Sequence, residues 1–356
     1  MTKNHTIRDV AREAGVSVAT VSRVLNNKPD ASHIAREKVE DAIGKLGYAR
    51  STQWQQLTTG KTRAISLLFP HTDTNPSHIY LDFIAGVTSA CEERDYRLDL
   101  VMRSLDERAL LDLYRSSKSD GTVLMRVQLS DWRVDLLRGM NLPFVMLGHT
   151  EEPSGASFID YDFDAAVRIA MDHLVALGHR HIAYASPMPA QENQHGPTMR
   201  ALRAYIDVCS QLDLPQLDYH ADHDLRHIRL MTTNMLHEHP EISALVTMRE
   251  MVETALFSAV HDAGLRVPDD ISVVGLTTPH GPELTSPELT AMEFPAWAMA
   301  YEAGRMMIDE LEGVSTTTRE TLWEPSLTVR ASTSSYRQGR TRTTVTSSRD
   351  PLRGEQ

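Results

Sequence analysis

Apolar side chains recur at helical spacing in three short blocks across residues 6–46, and from Ala64 onward they come in strand-length runs separated by longer helical stripes. Thr6 with Asp9 three residues later reads as a capping-box start. Val10, Ala11 and Ala14 then give a narrow stripe, and Gly15 ends the helix. Ser17 is a good N-cap for a second helix, whose Val21, Val24 and Leu25 turn toward the first and leave Val18, Ala19, Ser22 and Arg23 for solvent or a ligand. Two helices joined by a short turn containing glycine make a helix-turn-helix unit. After a turn at 27–30, Ser32 caps a third predicted helix through Val39, Ala42, Ile43 and Leu46 to Gly47.

The segment 50–61 is polar, nearly uncharged and punctuated by Trp54 and Leu57, a composition that suits a linker folding on binding. Beyond it, strands are predicted at 64–69, 98–102, 121–125, 144–147, 157–161, 181–185, 217–220, 244–247 and 271–275. Helices are predicted through Phe83 to Ala90 and at 106–116, 164–177, 198–211, 228–237, 251–263 and 296–311. This alternation predicts parallel, doubly wound sheets, and the stretch is long for one sheet, so two similar subdomains are expected. The fold class is therefore an all-α head on an α/β core, with a ligand cleft outside the carboxyl ends of the strands. The expected domains are a head at 1–49, a hinge at 50–61, a core at 62–333 and a disordered basic tail at 334–356. The tail lacks the leucine heptads of an oligomerisation helix.

Charge sharpens this division. The chain of 356 residues carries −12 overall, yet residues 1–61 hold ten Lys/Arg against six Asp/Glu, a net of +4. The tail from 335 adds +3, which leaves −19 for the body. A basic head on an acidic body suits a nucleic-acid-binding module whose partner domain repels the same polyanion. Cys91 and Cys209 have neither disulfide nor metal spacing, the N-terminus has no apolar leader, and no run approaches a membrane span. A cytoplasmic protein with no membrane contact is expected. His220, Asp222, His223, Asp224 and His227, with His237 and His239 nearby, lack the spacing of a helical metal site and read as solvated loop histidines. Nucleophile-elbow, dinucleotide and phosphate-loop signatures are absent from the sequence, so neither enzyme activity, metal nor cofactor is expected.

The run Thr6-Ile7-x-Asp9-Val10-Ala11-x-x-Ala14-Gly15-Val16-Ser17-x-x-Thr20-Val21-Ser22-Arg23-Val24-Leu25-Asn26 is similar, almost letter for letter, to the head of lactose/galactose-repressor family regulators. Later segments match in order: Leu46-Gly47-Tyr48, His173-Leu174-x-x-Leu177-Gly178-His179, Val267-Pro268-x-Asp270-Ile271-Ser272-Val273-Val274-Gly275 and Arg330-x-Ser332-Thr333. The resemblance implies a homodimeric transcriptional regulator, most often a repressor, with a core like periplasmic sugar-binding proteins. It also implies a pseudopalindromic double-stranded operator read in the major groove by the second helix. Carried over by position, Val18 and Ala19 read bases, Ser22, Arg23 and Asn26 support them, and Arg8, Ser17 and Thr20 hold the DNA backbone. Leu57 matches the family's minor-groove wedge. Two departures fall on the hinge: Arg50-Ser51 stands where the family usually has Pro-Asn, and Trp54 replaces a small alanine.

The family's effector pocket, which implies a small and usually carbohydrate ligand, is altered here. Ala201, Met248-Arg249 and Thr277 occupy positions that hold sugar-binding Arg, Asn-Asp and Asp in many relatives. The remaining candidates near the cleft are His71, Asp73, Asn75, Arg126, His149, Asp162, Arg200, Arg249, Thr277 and Trp297. Trp297 suits either stacking on a sugar ring or an ordinary place in a helix core, and the second reading is favoured. Two other functions fit the same chain: a DNA-binding regulator with no small effector, and a solute-binding module.

Overall fold

The structure, a computed structural model, describes residues 5–25, 31–46, 62–69, 79–116, 118–153, 155–187, 195–221, 224–248, 250–277, 285–315 and 317–337. The chain divides into two compact units, residues 1–62 and 63–356. The linker with Trp54 and Leu57, the turn at 27–30, Asn26 and Gly47 lie outside the described residues.

The first unit contains α1 (Ile7–Ala14), α2 (Val18–Leu25) and α3 (His33–Leu46). The Asp9 carboxylate accepts from both the Thr6 backbone N–H (2.9 Å) and the Thr6 hydroxyl (2.8 Å), which satisfies a free donor ahead of α1. These bonds hold the Asp9 carboxyl below its usual pKa. Gly15 takes φ +66°, and the Val16 N–H returns to the Ala11 carbonyl at 3.0 Å, a left-handed C-cap that a side chain would strain. Ser17 Oγ accepts from the Thr20 N–H at 3.1 Å, and Ser32 Oγ from the Ala35 N–H at 3.3 Å, so both predicted caps form. Ile7, Val10, Ala14, Val21, Val24 and Val39 close a small core among the three helices.

The second unit holds two six-stranded sheets. The first uses β1 (Ala64–Leu68), β2 (Arg97–Val101), β3 (Gly121–Leu124), β4 (Phe144–Leu147), β5 (Ser157–Tyr161) and β11 (Glu320–Trp323), in the order β11-β5-β4-β3-β1-β2, all parallel. Its helices include α4 (Ile79–Glu93), α5 (Glu107–Arg115), α6 (Trp132–Gly139) and α11 (Ala296–Glu312). The second sheet uses β6 (Ile182–Pro187), β7 (Asp218–Ala221), β8 (Ala244–Met248), β9 (Ser272–Thr277), β10 (Thr290–Glu293) and β12 (Leu327–Thr328), in the order β12-β10-β9-β8-β6-β7. Only β12 in that sheet is antiparallel, paired with β10. Its helices are α7 (Phe163–Ala176), α8 (Gly196–Gln211), α9 (Leu225–Glu238) and α10 (Glu250–Asp262). β1, β4 and β8 are buried along their whole length, as expected of parallel strands covered on both faces.

The chain passes from one sheet to the other at Asp162, between β10 and α11, and between β11 and β12. α4 and α11 lie tightly side by side. A Cβ added to Gly86 on α4 would meet the Trp297 carbonyl at 2.3 Å and the Ala300 Cβ at 2.8 Å, so only glycine allows this approach.

Four elements depart from the sequence reading. α6, β10, β11 and β12 carry no call in the hydrophobic pattern: β11 is a half-exposed edge, β12 has two residues, β10 sits between Pro287 and Pro295, and α6 has no clear apolar stripe. The strand placed at Leu217–His220 runs one residue later. The tail expected to be free from Ser334 is tied down at its start. Ser334 N–H donates to Ser272 Oγ (3.0 Å), the Ser334 carbonyl accepts from His179 Nε2 (3.0 Å), and Tyr336 N–H donates to the Leu177 carbonyl (2.8 Å). Residues 334–336 therefore belong to the second subdomain, and 338–356 lie outside the described residues.

Candidate nucleic-acid interface and effector cleft

On α2 the buried side is Val21 and Val24, and the opposite side presents Val18, Ala19 and Arg23 to solvent, Val18 at 38% exposure. An exposed branched aliphatic and a methyl beside a guanidinium suit thymine methyls and a guanine edge or phosphate. Ser22 is half-buried on the same helix, and Arg8 is exposed on α1. The Ser17 and Thr20 hydroxyls lie 2.9 Å apart at the start of α2. Asn26 and Leu57 are outside the described residues.

The second unit encloses a cavity of about 140 Å³ between its two sheets. It lies at the carboxyl ends of strands from both, marked by Met125, Leu147 and Tyr161 on one side and Met248, Leu276 and Met292 on the other. Phe294 anchors an aromatic cluster there, with ring centroids 5.0 Å from Tyr161 and 5.9 Å from both Phe83 and Phe163. Burial pushes the Tyr161 phenol well above its ordinary pKa. The described lining is mostly apolar, and Arg126, Asp160 and His195 join the phenols of Tyr80 and Tyr161 as its polar side chains. Arg126 adopts φ +53°, an uncommon left-handed conformation at the end of β3.

Asp160 connects the cavity wall to two expected residues. Its carboxylate lies 2.7 Å from His149 Nδ1 and 3.5 Å from an Arg200 guanidinium nitrogen. Arg200, on α8 of the second subdomain, also donates to the carbonyls of His149 (2.9 Å) and Thr150 (3.2 Å) in the first. Burial lowers the Arg200 pKa and Asp160 acts against that shift. The His149 ring stacks on Phe158 at 4.7 Å. Around this cluster, Arg203 donates to both Glu151 oxygens at 2.9 and 3.0 Å, and Gly196 N–H donates to the Val127 carbonyl at 3.1 Å. This side of the cleft is a polar latch between subdomains.

Other sequence candidates separate. Asp162 caps α7 by accepting from the Ala165 N–H at 2.9 Å, which makes it a structural residue at a crossing. Trp297 neither lines the cavity nor sits in the core: it is 45% exposed on α11 and stacks on Tyr301 at 5.2 Å. His71, Asp73, Asn75, Arg249 and the Thr277 side chain are outside the described residues. Sequence reasoning missed Asp160, His195 and the aromatic cluster. A lone carboxylate inside the apolar strand Ser157–Tyr161 was the available signal, because such a charge requires partners.

The histidine-rich segment is only partly loop, in line with the strand at 217–220 and the helix at 228–237 read from the sequence. His220 lies in β7, bonded to Ser186 (2.9 Å) and Asp218 (3.1 Å), while His227 and His237 lie on α9 and His239 pairs with Glu241.

A helix-turn-helix head followed by a two-sheet, cleft-bearing core defines a DNA-binding transcriptional regulator. Residues 6–51 match the family described as bacterial regulatory proteins, lacI family, and residues 171–333 match the periplasmic binding protein-like domain. The chain is 29% identical over 341 residues to the HTH-type transcriptional regulator MalR of Streptomyces coelicolor, covering 92% of this chain and 96% of that protein. It is 28% identical over 339 residues to the HTH-type transcriptional regulator CelR of Thermobifida fusca, covering 92% and 98%. A crystal structure of the Lac repressor dimer bound to operator and an anti-inducer shares the fold, with TM-score 0.81 and 23% identity over 93% of this chain and 100% of that one. In its head the chain is similar to the lacI family of bacterial regulatory proteins, and in its core to the periplasmic binding protein-like domain. Among the described residues no helix is long and apolar enough to cross a membrane.

Proposed function

We propose that this regulator is a cytoplasmic repressor that binds a pseudopalindromic operator as a homodimer and responds to a small effector, a sugar or sugar derivative, in the cleft between its subdomains. The observation that carries the DNA-binding half is the division of α2, with Val21 and Val24 buried and Val18, Ala19 and Arg23 exposed. In this reading Val18 and Ala19 set base preference, while Arg23, Ser22 and Asn26 support it. Arg8, Ser17 and Thr20 hold phosphates, and Leu57 in the 50–61 hinge enters the minor groove. Residues 62–333 form the effector-binding and dimerising core, and the protein acts by binding rather than turnover.

The cleft supports effector control because its walls come from both subdomains and its apolar surface carries few polar groups, the usual make-up of a small-molecule site. The apolar faces of a sugar ring suit the Tyr161–Phe294 cluster, and hydroxyls suit Arg126, Asp160 and His195. An effector favours one subdomain arrangement only through differential contacts, and Asp160, which belongs both to the cavity lining and to the Arg200 latch, is the residue that joins the two.

The test is selection of binding duplexes from a random library by the full-length chain, followed by fluorescence anisotropy on the enriched duplex with and without a panel including maltose and cellobiose. Enrichment of an inverted repeat, and a shift in affinity by one sugar, are expected. Recovery of no preferred sequence overturns the DNA assignment, and an affinity indifferent to every sugar overturns the effector class.

A further inference from the structure

A second cavity, of about 310 Å³, lies in the first subdomain at the opposite end of its sheet from the cleft. Phe144 and Ser157, which open β4 and β5, place it at the amino ends of the strands. Its walls come from the last turn of α6, the last turns of α11 and the segment leading to β11.

Arg138 on α6 faces an unusual situation there. Its Nε and Nη2 atoms are buried and have no hydrogen-bond partner. A guanidinium stays protonated at any physiological pH, so it cannot relieve this by losing its proton. Nε–H and Nη2–H are also the parallel pair that grips two oxygens of one carboxylate or phosphate. The other guanidinium of the cavity, Arg319, is already engaged: it donates to Asp309 at 2.8 Å and lies 3.8 Å from Glu302. Arg138 is therefore the unspent cation of this lining. Glu310 is the carboxylate of the lining, and burial holds its carboxyl above the ordinary pKa. It favours an anion that also carries a hydroxyl to donate. The volume is on the order of ten waters, more than a bare inorganic ion fills.

We infer that this cavity is a second ligand site, separate from the cleft, which takes a small organic oxyanion bound side-on by Arg138 Nε and Nη2. The inference rests on no assumption about the cleft's effector. Its chemistry is shared by carboxylates and phosphate monoesters, and the experiment separates them.

Full-length protein is titrated calorimetrically at constant ionic strength with inorganic phosphate, glycerol phosphate and malate, with sodium chloride as the blank. Hydrogen exchange is followed on residues 138–144. Saturable binding of one organic anion, with slowed exchange at 138–144, is expected. Preference for glycerol phosphate identifies a phosphate site, and preference for malate a carboxylate site. Arg138→Met, which keeps the alkyl stem, should weaken that binding about ten- to hundred-fold, the worth of charged hydrogen bonds. Arg138→Lys keeps the charge but loses the fork, and should fall between the two. This second variant keeps the test decisive if the first fails to fold. Binding of none of the three anions overturns the inference and leaves a water-filled cavity. Binding that survives both substitutions unchanged overturns it as well, because the anion then sits elsewhere.

Discussion

Replacing Asp160 by Asn keeps the side-chain shape and removes the charge that joins His149 and Arg200 beside the cleft. The Arg200–Asp160 separation of 3.5 Å corresponds to a gross attraction of about 5 kcal/mol at an effective dielectric of about 20. Against it stands the desolvation that already depresses the Arg200 pKa. Breaking a buried pair by removing one partner costs about 3–5 kcal/mol. Arg200 keeps two carbonyl acceptors after the change, which reduces the expected loss for Asp160→Asn to about 2–4 kcal/mol. Arg200→Met should also destabilise, because Asp160 then loses its guanidinium partner and keeps the His149 ring and the Tyr161 N–H. Urea unfolding followed by circular dichroism on both single variants and the double variant gives the coupling directly, and about 1–3 kcal/mol is expected for groups in one network. Additivity within about 0.5 kcal/mol would refute the latch, since it would mean that the charges do not sense each other.

Arg23→Ala should weaken operator binding by about 1–3 kcal/mol, and unchanged anisotropy-derived affinity would remove Arg23 from the interface. Gly86→Ala should destabilise the core by about 1–3 kcal/mol, because the added methyl meets the Trp297 carbonyl; a variant stabilised by alanine's better helix propensity would contradict the close α4–α11 approach. His179 is buried between Ser243 Oγ (2.9 Å) and the Ser334 carbonyl, and burial holds its pKa below the ordinary 6.5. In acid the unfolded chain takes up a proton that the native state resists, so this contribution to stability is complete above pH 6.5 and is lost as pH falls through the lower native value. The urea midpoint should drop on acidification, and His179→Gln should flatten that drop; an identical acid limb in the variant would discard the assignment.

The head was readable residue by residue because its signals are local. Thr6, Gly15, Ser17 and Ser32 each act within four residues of themselves, and the structure uses every one. The parallel strands were equally plain, since burial on both faces writes them as continuous apolar runs such as 64–68 and 244–248. What escaped depends on contacts far apart in sequence. β11 gains its place from β5, about 160 residues earlier, and residues 334–336 gain theirs from Leu177, His179 and Ser272. The cleft follows the same rule. Asp160 is given its role by Arg200, which arrives from the other subdomain, and Trp297, favoured as a helix-core residue, is turned outward by α11.

Two of the three passages between subdomains have a further consequence. Tyr161 and Phe163 flank the crossing at Asp162, Met292 and Phe294 lie at the crossing after β10, and all four line the cavity. These crossings and the cavity lining share residues. On the proposed reading, a ligand in this cavity would bear directly on two of the segments that join the subdomains, with no relay of intervening side chains. Ligand preference and amplitude of response are then one trait rather than two. Enlarging or reshaping the aromatic cluster to admit a new effector would retune the resting angle before any effector bound.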